Sequence, residues 1–249
     1  MQSFVRSQML LGKPGIDALS AAHVAVFGVG GVGSFAAEAL ARAGVGTLTL
    51  VDHDVVNVTN LNRQLVALHS TLGRPKVEVM RERILDIHPQ AVVYALPLFY
   101  PPDGAAPVDL ARFDYIVDAI DTVSSKIALI TAARDAATPI VSCMGAGNRL
   151  DPSRFEVTDL WATRGCPLAR ALRKELRARG VERLTVVYST EPPRKPLAEA
   201  LMIETEGARR ATVGSVSFVP PVAGMIAAGV VVRGLCGLPE RGVDKQSVL

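Results

Sequence analysis

The chain has 249 residues, 49% of them apolar and 20% charged, with a formal net charge of +3. That size and apolar fraction can close one large α/β core or two small ones, and they exclude a disordered or fibrous chain. Cys143, Cys166 and Cys236 are widely separated and form no C-x-x-C pair, which excludes a disulfide framework and a four-thiolate zinc site, so no zinc is expected.

The N-terminal stretch, MQSFVRSQMLLGKPGIDALS, has no long apolar run after a basic start, so no secretory signal is predicted and the chain is placed in the cytoplasm, with membrane association left open. Strand and helix patterns then alternate: HVAVFG (23 to 28), SFAAEALARAG (34 to 44), TLTLVD (47 to 52), PKVEVMRERILDIH (75 to 88), AVVYAL (91 to 96), FDYIVDAID (113 to 121), SSKIALITAARDAA (124 to 137) and PIVSCMG (139 to 145). Gly44 and Pro89 stand where helices should end. This alternation predicts a Rossmann-like, doubly wound, mostly parallel α/β sheet covered on both faces.

After Asn148 the order changes. Strands are predicted at FEVTDLW (155 to 161) and RLTVVYST (183 to 190), extending the sheet with antiparallel pairing, around a basic helix near 167 to 179. A mobile EPPRKP loop follows, and the chain returns through 211 to 219 to a small-residue helix at 221 to 236. The apolar run 216 to 232 is short for a membrane span and contains Pro220 and Pro221, so a buried helix is predicted. No Gly/Ser-rich linker separates two domains, and one domain is predicted.

GVGGVG, Gly28 to Gly33, sits between a strand and a helix. There Gly28, Gly30, Gly31 and Gly33 let the backbone approach a phosphate, and the helix N-terminus supplies N–H groups. Asp52 ends the next strand, where it can accept ribose hydroxyl hydrogen bonds or serve only as a turn residue. A dinucleotide needs little more. A triphosphate attacked at phosphorus needs cations and a metal-holding carboxylate, and Arg63, Lys76 and Asp121 supply them on the carboxyl edge of the predicted sheet. Each has a plainer alternative: a surface loop charge for Arg63, a solvated helix start for Lys76, a helix N-cap for Asp121.

The runs AVFGVGGVGSFAAEALARAGVGTLTLVDHDVVNVTNLNRQ, GRPKVEVMRERI and DYIVDAIDTVSSK resemble the adenylating domain of the ubiquitin-activating-enzyme-like superfamily, over roughly residues 6 to 145. The resemblance implies attack of a carboxylate on the α-phosphate of ATP to give an acyl-adenylate. It puts Gly31 on the phosphates, Asp52 on the ribose, Asn60 and Arg63 on phosphate, Lys76 on the phosphates in the transition state and Asp121 on Mg2+. FVRSQMLLG is similar to the segment whose arginine reaches the other subunit's site in a homodimer, which implies that role for Arg6. The whole chain, 1–249, is then one adenylating domain, with an ATP-binding half at 1–150 and a substrate and dimer half at 151–249.

GAGNRLDPSRFEVTDLWATRGCPLARALRKELRARGV, LTVVYSTEPPRKP and GSVSFVPPVAGMIAAGVVVR extend the resemblance to the branch that closes a ring on threonylcarbamoyladenosine beside the anticodon of tRNA. That branch activates the threonyl carboxylate with ATP and implies a monovalent cation, Na+ or K+, near the second-half loops. Such a substrate carries its own nucleophile, the carbamoyl group, so no acceptor cysteine is needed, and Cys166, beside a proline at a helix start, is read as structural. Two alternatives stand: an adenylyltransferase acting on a ubiquitin-like sulfur-carrier protein, and a scaffold that recruits a cysteine desulfurase or its sulfur acceptor.

Residues 151 to 249 carry 15 Lys/Arg against 11 Asp/Glu, whereas the first 150 carry 12 against 13. Arg170, Arg173, Lys174 and Arg177 share one face of the predicted basic helix. This face is expected to meet the tRNA backbone, the alternative being an ordinary solvated surface.

Overall fold

A computed structural model describes residues 2–103, 108–197 and 213–238. The apolar runs become β1 (His23–Phe27), β2 (Thr47–Val51), β3 (Val92–Leu96), β4 (Tyr115–Asp118), β5 (Ile140–Cys143), β6 (Phe155–Asp159) and β7 (Thr185–Ser189). They form one seven-stranded sheet in the order β3-β2-β1-β4-β5-β7-β6. Every pair is parallel except β6 with β7, and β7 itself runs parallel to β5. The predicted antiparallel extension is therefore a single edge strand, with the last strand in sequence inserted inside it. Four of five residues in β1, in β2 and in β7 are buried, the pattern of strands covered on both faces.

The helices are α1 (Val5–Ala21), α2 (Gly33–Ala43), α3 (Lys76–Ile87), α4 (Val123–Asp135), α5 (Pro167–Ala178) and α6 (Val219–Leu235). Gly44 closes α2 in the left-handed conformation at φ 96°, its N–H donating back into the last turn. Residues 5–21, for which no element is predicted, form α1. It consists of two helical segments meeting at Gly12 (φ 68°, ψ 173°), with Pro14 just inside the second. Val5, Met9 and Leu10 face solvent there while Ile16 and Leu19 are buried, so the apolar spacing does not follow one stripe.

One core lies between the sheet and α2, α3 and α6, and two smaller clusters fill the α4–α5 side. The predicted small-residue helix is α6, whose Val219, Ala223, Ala227 and Val231 are buried. Gly224 crosses α2 so closely that a Cβ there would overlap the Val32 carbonyl oxygen. Among the described residues no helix is long and apolar enough to cross a membrane. The EPPRKP loop, read as mobile, is anchored at its start: the buried Glu191 accepts N–H bonds from Leu150 at 3.0 Å and Asp151 at 2.9 Å.

β1 connects to β2 on one side while β4 continues on the other, so the winding reverses between β1 and β4. Ligands of such sheets bind in the crevice at that reversal, beyond the carboxyl ends of the strands.

The α2–α6 crossing is tested by a matched pair of substitutions. Gly224→Ala should lower the unfolding free energy by about 1–3 kcal/mol, since the obstacle is backbone. Gly229→Ala, in the same helix, would meet only the far end of the Arg233 side chain and should stabilise by about 0.5–1 kcal/mol. Urea denaturation of both proteins reads the difference, and equal effects would remove the close crossing as the reason for Gly224.

Candidate active site

At the reversal point a cleft of about 530 Å³ opens over the carboxyl ends of β1, β2, β4 and β5. Its floor is the glycine loop. A Cβ on Gly28, at φ 86°, would lie 2.6 Å from the Ala119 carbonyl oxygen, and one on Gly33 would overlap the Gly28 carbonyl. These two glycines are required by packing. A Cβ on Gly30 would make only ordinary contact, 3.7 Å from the Gln64 amide, so a glycine there leaves room for something that is not protein. Gly31 lies between Arg63 and Pro220, with 3.2 Å from a notional Cβ to the proline. Val32, at the cap of α2, has no side-chain hydrogen bond to offer, and the positive end of α2 meets the loop there.

Asp52 ties this loop to β2. Its Oδ2 accepts the Val29 N–H at 2.6 Å and its Oδ1 the Asp54 N–H at 2.8 Å, while each oxygen keeps a lone pair for a ligand. Lys76, at the start of α3, is 4% exposed rather than solvated, and its ammonium sits 2.7 Å from Asp54 Oδ2. Asn60 is buried in a single 3-10 turn, where its side-chain Oδ1 accepts the Asn57 N–H at 3.1 Å. Arg63 donates to the Thr59 carbonyl at 3.0 Å and to Asn62 Oδ1 at 2.9 Å, on the cleft wall.

Asp121 follows β4 and is exposed at the cleft. Thr122, not Asp121, holds the cap position of α4, and no side chain caps that helix, so the carboxylate of Asp121 is not used as an N-cap. The cleft thus brings together Gly28, Gly30, Gly31, Asp52, Asn60, Arg63, Lys76 and Asp121, with Gly33 just behind the loop. Arg6 is exposed on α1 and does not line the cleft of its own chain.

Four buried side-chain atoms among the described residues have no hydrogen-bond partner: Gln64 Oε1, Tyr100 OH, Ser125 Oγ and Ser215 Oγ. All four residues line this cleft. An unsatisfied buried polar group costs about 1–3 kcal/mol, and such a concentration in one place marks a surface shaped for a polar ligand. Burial pushes the Tyr100 phenol up to about 12, so it remains a neutral donor at physiological pH. Sequence reasoning assigned no role to these four residues or to Asp54; Asp54 and Gln64 had a signal, since both stand in the polar run that follows β2.

None of the three cysteines is poised as a nucleophile. Cys143 lines the cleft, but complete burial pushes its thiol up to about 12, and Cys166 is 4% exposed inside the apolar cluster under α5. Burial also raises Cys236, whose thiol donates to the Gly15 carbonyl.

The basic helix α5 buries Ala169, Leu172 and Leu176 and leaves Arg170, Lys174 and Arg177 exposed. Arg173 is partly withdrawn: its guanidinium donates to the Thr163 carbonyl at 3.0 Å and to the Thr163 hydroxyl. The Arg177 guanidinium lies 5.0 Å from the centre of the Trp161 ring. Arg173, Lys174 and Arg177 line a shallow open hollow on this face.

The family model described as the ThiF family matches residues 4–246. The tRNA threonylcarbamoyladenosine dehydratase of Bacillus subtilis is 43% identical over 241 residues, covering 94% of this chain and 95% of that protein. Crystal structures of the Escherichia coli tRNA N6-threonylcarbamoyladenosine dehydratase in complex with ATP and with AMP superpose with TM-scores of 0.82 and 0.84, at 35% and 37% identity, each covering 95% of this chain and 94% of theirs. The molybdopterin-synthase adenylyltransferase of Escherichia coli is 35% identical over 137 residues, 55% of this chain and 54% of that protein.

Removing the orphaned phenol is a direct test of the cleft. Tyr100→Phe should stabilise the free protein by about 1 kcal/mol, because it deletes a buried group that has no partner. The gain should widen between pH 10 and 12, where the unfolded tyrosine ionises before the folded one and parent stability falls. A variant less stable than the parent at neutral pH would show that the hydroxyl has a partner after all.

Proposed function

The chain belongs to the ThiF family, and on that premise we propose that it catalyses the ATP-dependent dehydration of threonylcarbamoyladenosine beside the anticodon of tRNA, activating the threonyl carboxylate as an acyl-adenylate. The observation that carries the ATP half is the cleft itself: a glycine floor with room above Gly30, a buried lysine, and four buried polar atoms without partners. The substrate half is supported by the likeness to the Bacillus subtilis dehydratase along nearly the full length of both chains, whereas the likeness to the sulfur-carrier adenylyltransferase covers about half. We read 1–249 as one adenylating domain working in the cytoplasm as a homodimer.

In this reading Gly28, Gly30, Gly31 and Gly33 shape the phosphate cradle and Asp52 holds the ribose. Asn60 and Arg63 hold phosphate, and Lys76 moves from Asp54 onto the charge that develops as pyrophosphate departs. Among the described residues, the cleft lining offers two cations, Arg63 and Lys76, against three carboxylates, Asp52, Asp54 and Asp121. A bound triphosphate needs more positive charge than that. Asp121 would hold Mg2+, which would lower the cost of charge on the phosphate oxygens, and Arg6 reaching in from a second copy of the chain supplies the rest.

A carboxylate oxygen of the substrate attacks phosphorus and later leaves on it, and the carbamoyl group closes onto the activated carbon. The net change in the nucleoside is loss of one water. Both reacting groups belong to one molecule, so proximity replaces an acceptor thiol, in keeping with three cysteines that are buried or engaged. The monovalent cation that the resemblance implies would sit near the second-half loops, where Arg149 ties the Gly145 and Glu191 carbonyls together. No step is assigned to it.

The assay is incubation with ATP, Mg2+ and tRNA carrying threonylcarbamoyladenosine, followed by nucleoside mass spectrometry. The modified nucleoside should become lighter by one water, and its persistence would overturn the proposal. Lys76→Ala should lower turnover by about 3 kcal/mol of transition-state stabilisation. Mixing Lys76→Ala with inactive Arg6→Ala chains should recover activity, because one site of the mixed dimer then holds both residues.

We place tRNA against Arg170, Lys174 and Arg177, with Arg173 holding the loop at Thr163. The double variant Arg170→Glu, Lys174→Glu leaves Arg173 intact. It should weaken tRNA binding and reduce the salt slope by about 2, with ATP affinity unchanged. An unaltered slope would return α5 to the status of a solvated surface.

A further inference from the structure

Directly under the carboxyl edge lies a closed polar group that the reading above does not use. Asp118 ends β4, Lys126 lies in the first turns of α4, and Ser142 lies on β5; all three are 0% exposed. The Lys126 ammonium is 2.7 Å from Asp118 Oδ2 and 3.2 Å from Ser142 Oγ, and the serine hydroxyl donates to the same Oδ2 at 2.6 Å. The other aspartate oxygen, Oδ1, accepts the Ile120 N–H at 3.1 Å.

Stability alone is a poor account of this group. Two charges taken out of water lose hydration that their attraction repays only partly, and well-packed apolar residues of like volume are often as stable or more so. What the ion pair provides is a fixed acceptor. With Oδ2 claimed from two sides, the carboxylate cannot rotate, and Oδ1 holds Ile120 in place.

The turn 119–122 is tethered at three points: the Ala119 N–H to the Phe27 carbonyl at 2.8 Å, the Ile120 N–H to Asp118, and the Thr122 carbonyl to the Lys126 N–H at 2.9 Å. The Ile120 tether is made by the Asp118 side chain itself, and the Thr122 bond comes from the backbone of the residue that holds that side chain in place. The same turn carries Asp121 on one side and, through the Ala119 carbonyl, meets Gly28 on the other.

We propose that Asp118, Lys126 and Ser142 are positioning residues that set the β4–α4 turn, so that Asp121 meets the metal on ATP and the glycine loop keeps its seat. The inference rests on the reading of the cleft as an ATP site. It predicts that chemistry and magnesium response depend on three side chains that never reach the substrate.

The test replaces the charges by shape. The double variant Asp118→Leu, Lys126→Met keeps the volume and should melt near the parent temperature, while Ser142→Ala removes one hydroxyl with its two hydrogen bonds and leaves the ion pair. ATP affinity is measured by calorimetry with and without Mg2+, and turnover is measured on modified tRNA. In the double variant the Mg2+-dependent gain in ATP affinity should fall at least tenfold and kcat at least tenfold, with KM for tRNA unchanged. Ser142→Ala should shift both in the same direction by about threefold. A folded double variant with parental kcat and magnesium response would overturn the proposal. Should the double variant fail to fold, a parental magnesium response in Ser142→Ala overturns it equally. A parent protein that binds no ATP would sink the nucleotide reading and this inference with it, whereas parent and variants binding ATP with the same magnesium response sinks this inference alone.

Discussion

The active edge depends on one steric condition: nothing may project from Gly28 toward the Ala119 carbonyl, 2.6 Å from where a Cβ would stand. That approach joins the end of β1 to the turn after β4, on the two sides of the point where the winding reverses. Because Gly28 lies against Ala119, the loop that follows can fold back on itself, with Gly33 against the Gly28 carbonyl, before α2 begins. Because the Gly28 N–H donates to the Val51 carbonyl at 2.8 Å, the same residue also fixes the end of β2, where Asp52 stands. Three strand ends are thus located by two backbone contacts of one glycine, and the cleft is the space left above it.

Charge in the cleft is arranged for a visitor rather than for the resting protein. Lys76 is buried but salt-bridged to the half-exposed Asp54, a partner that water can replace. Asp52 spends its backbone contacts on geometry, and Asp121 spends nothing on capping α4. Beneath them the Asp118–Lys126 pair is wholly dry and shares no oxygen with the cleft. The two lysines therefore sit in opposite regimes: one pair is easily exchanged, and the other is locked.

The parallel sheet, the helices α2 to α6 and the glycines and charged groups Asp52, Arg63, Lys76 and Asp121 of the cleft were legible in the sequence because parallel strands bury both faces and write continuous apolar runs between glycines. What was not legible has particular causes. In α1 the apolar residues Val5, Met9 and Leu10 point outward, and Gly12 with Pro14 reads as a break although it is a joint between two helical segments. β7 lies between β5 and β6, an insertion that no local pattern encodes. Gln64, Tyr100, Ser125 and Ser215 are ordinary residue types, and only the absence of partners singles them out. Lys126 follows two serines at the start of a helix, where a lysine is normally solvated, and nothing local shows that Asp118 and Ser142 close over it. Arg173 shares its helical face with Arg170 and Lys174, and its bonds to Thr163 come from a chain reversal that spacing along α5 does not reveal.

The chain contains a single tryptophan, and its place has a practical consequence. Trp161 lies beside α5, with its indole N–H donating to the Glu182 carbonyl at 2.6 Å and its ring beside the Arg177 guanidinium. It does not line the ATP cleft. Its fluorescence is therefore a built-in optical probe of the basic helix, carried by a ring that stands outside the lining of the nucleotide cleft. Any polyanion that draws Arg177 off the ring changes the surroundings of the fluorophore, so the two halves of the site can be followed separately in unlabelled protein, one by light and the other by heat.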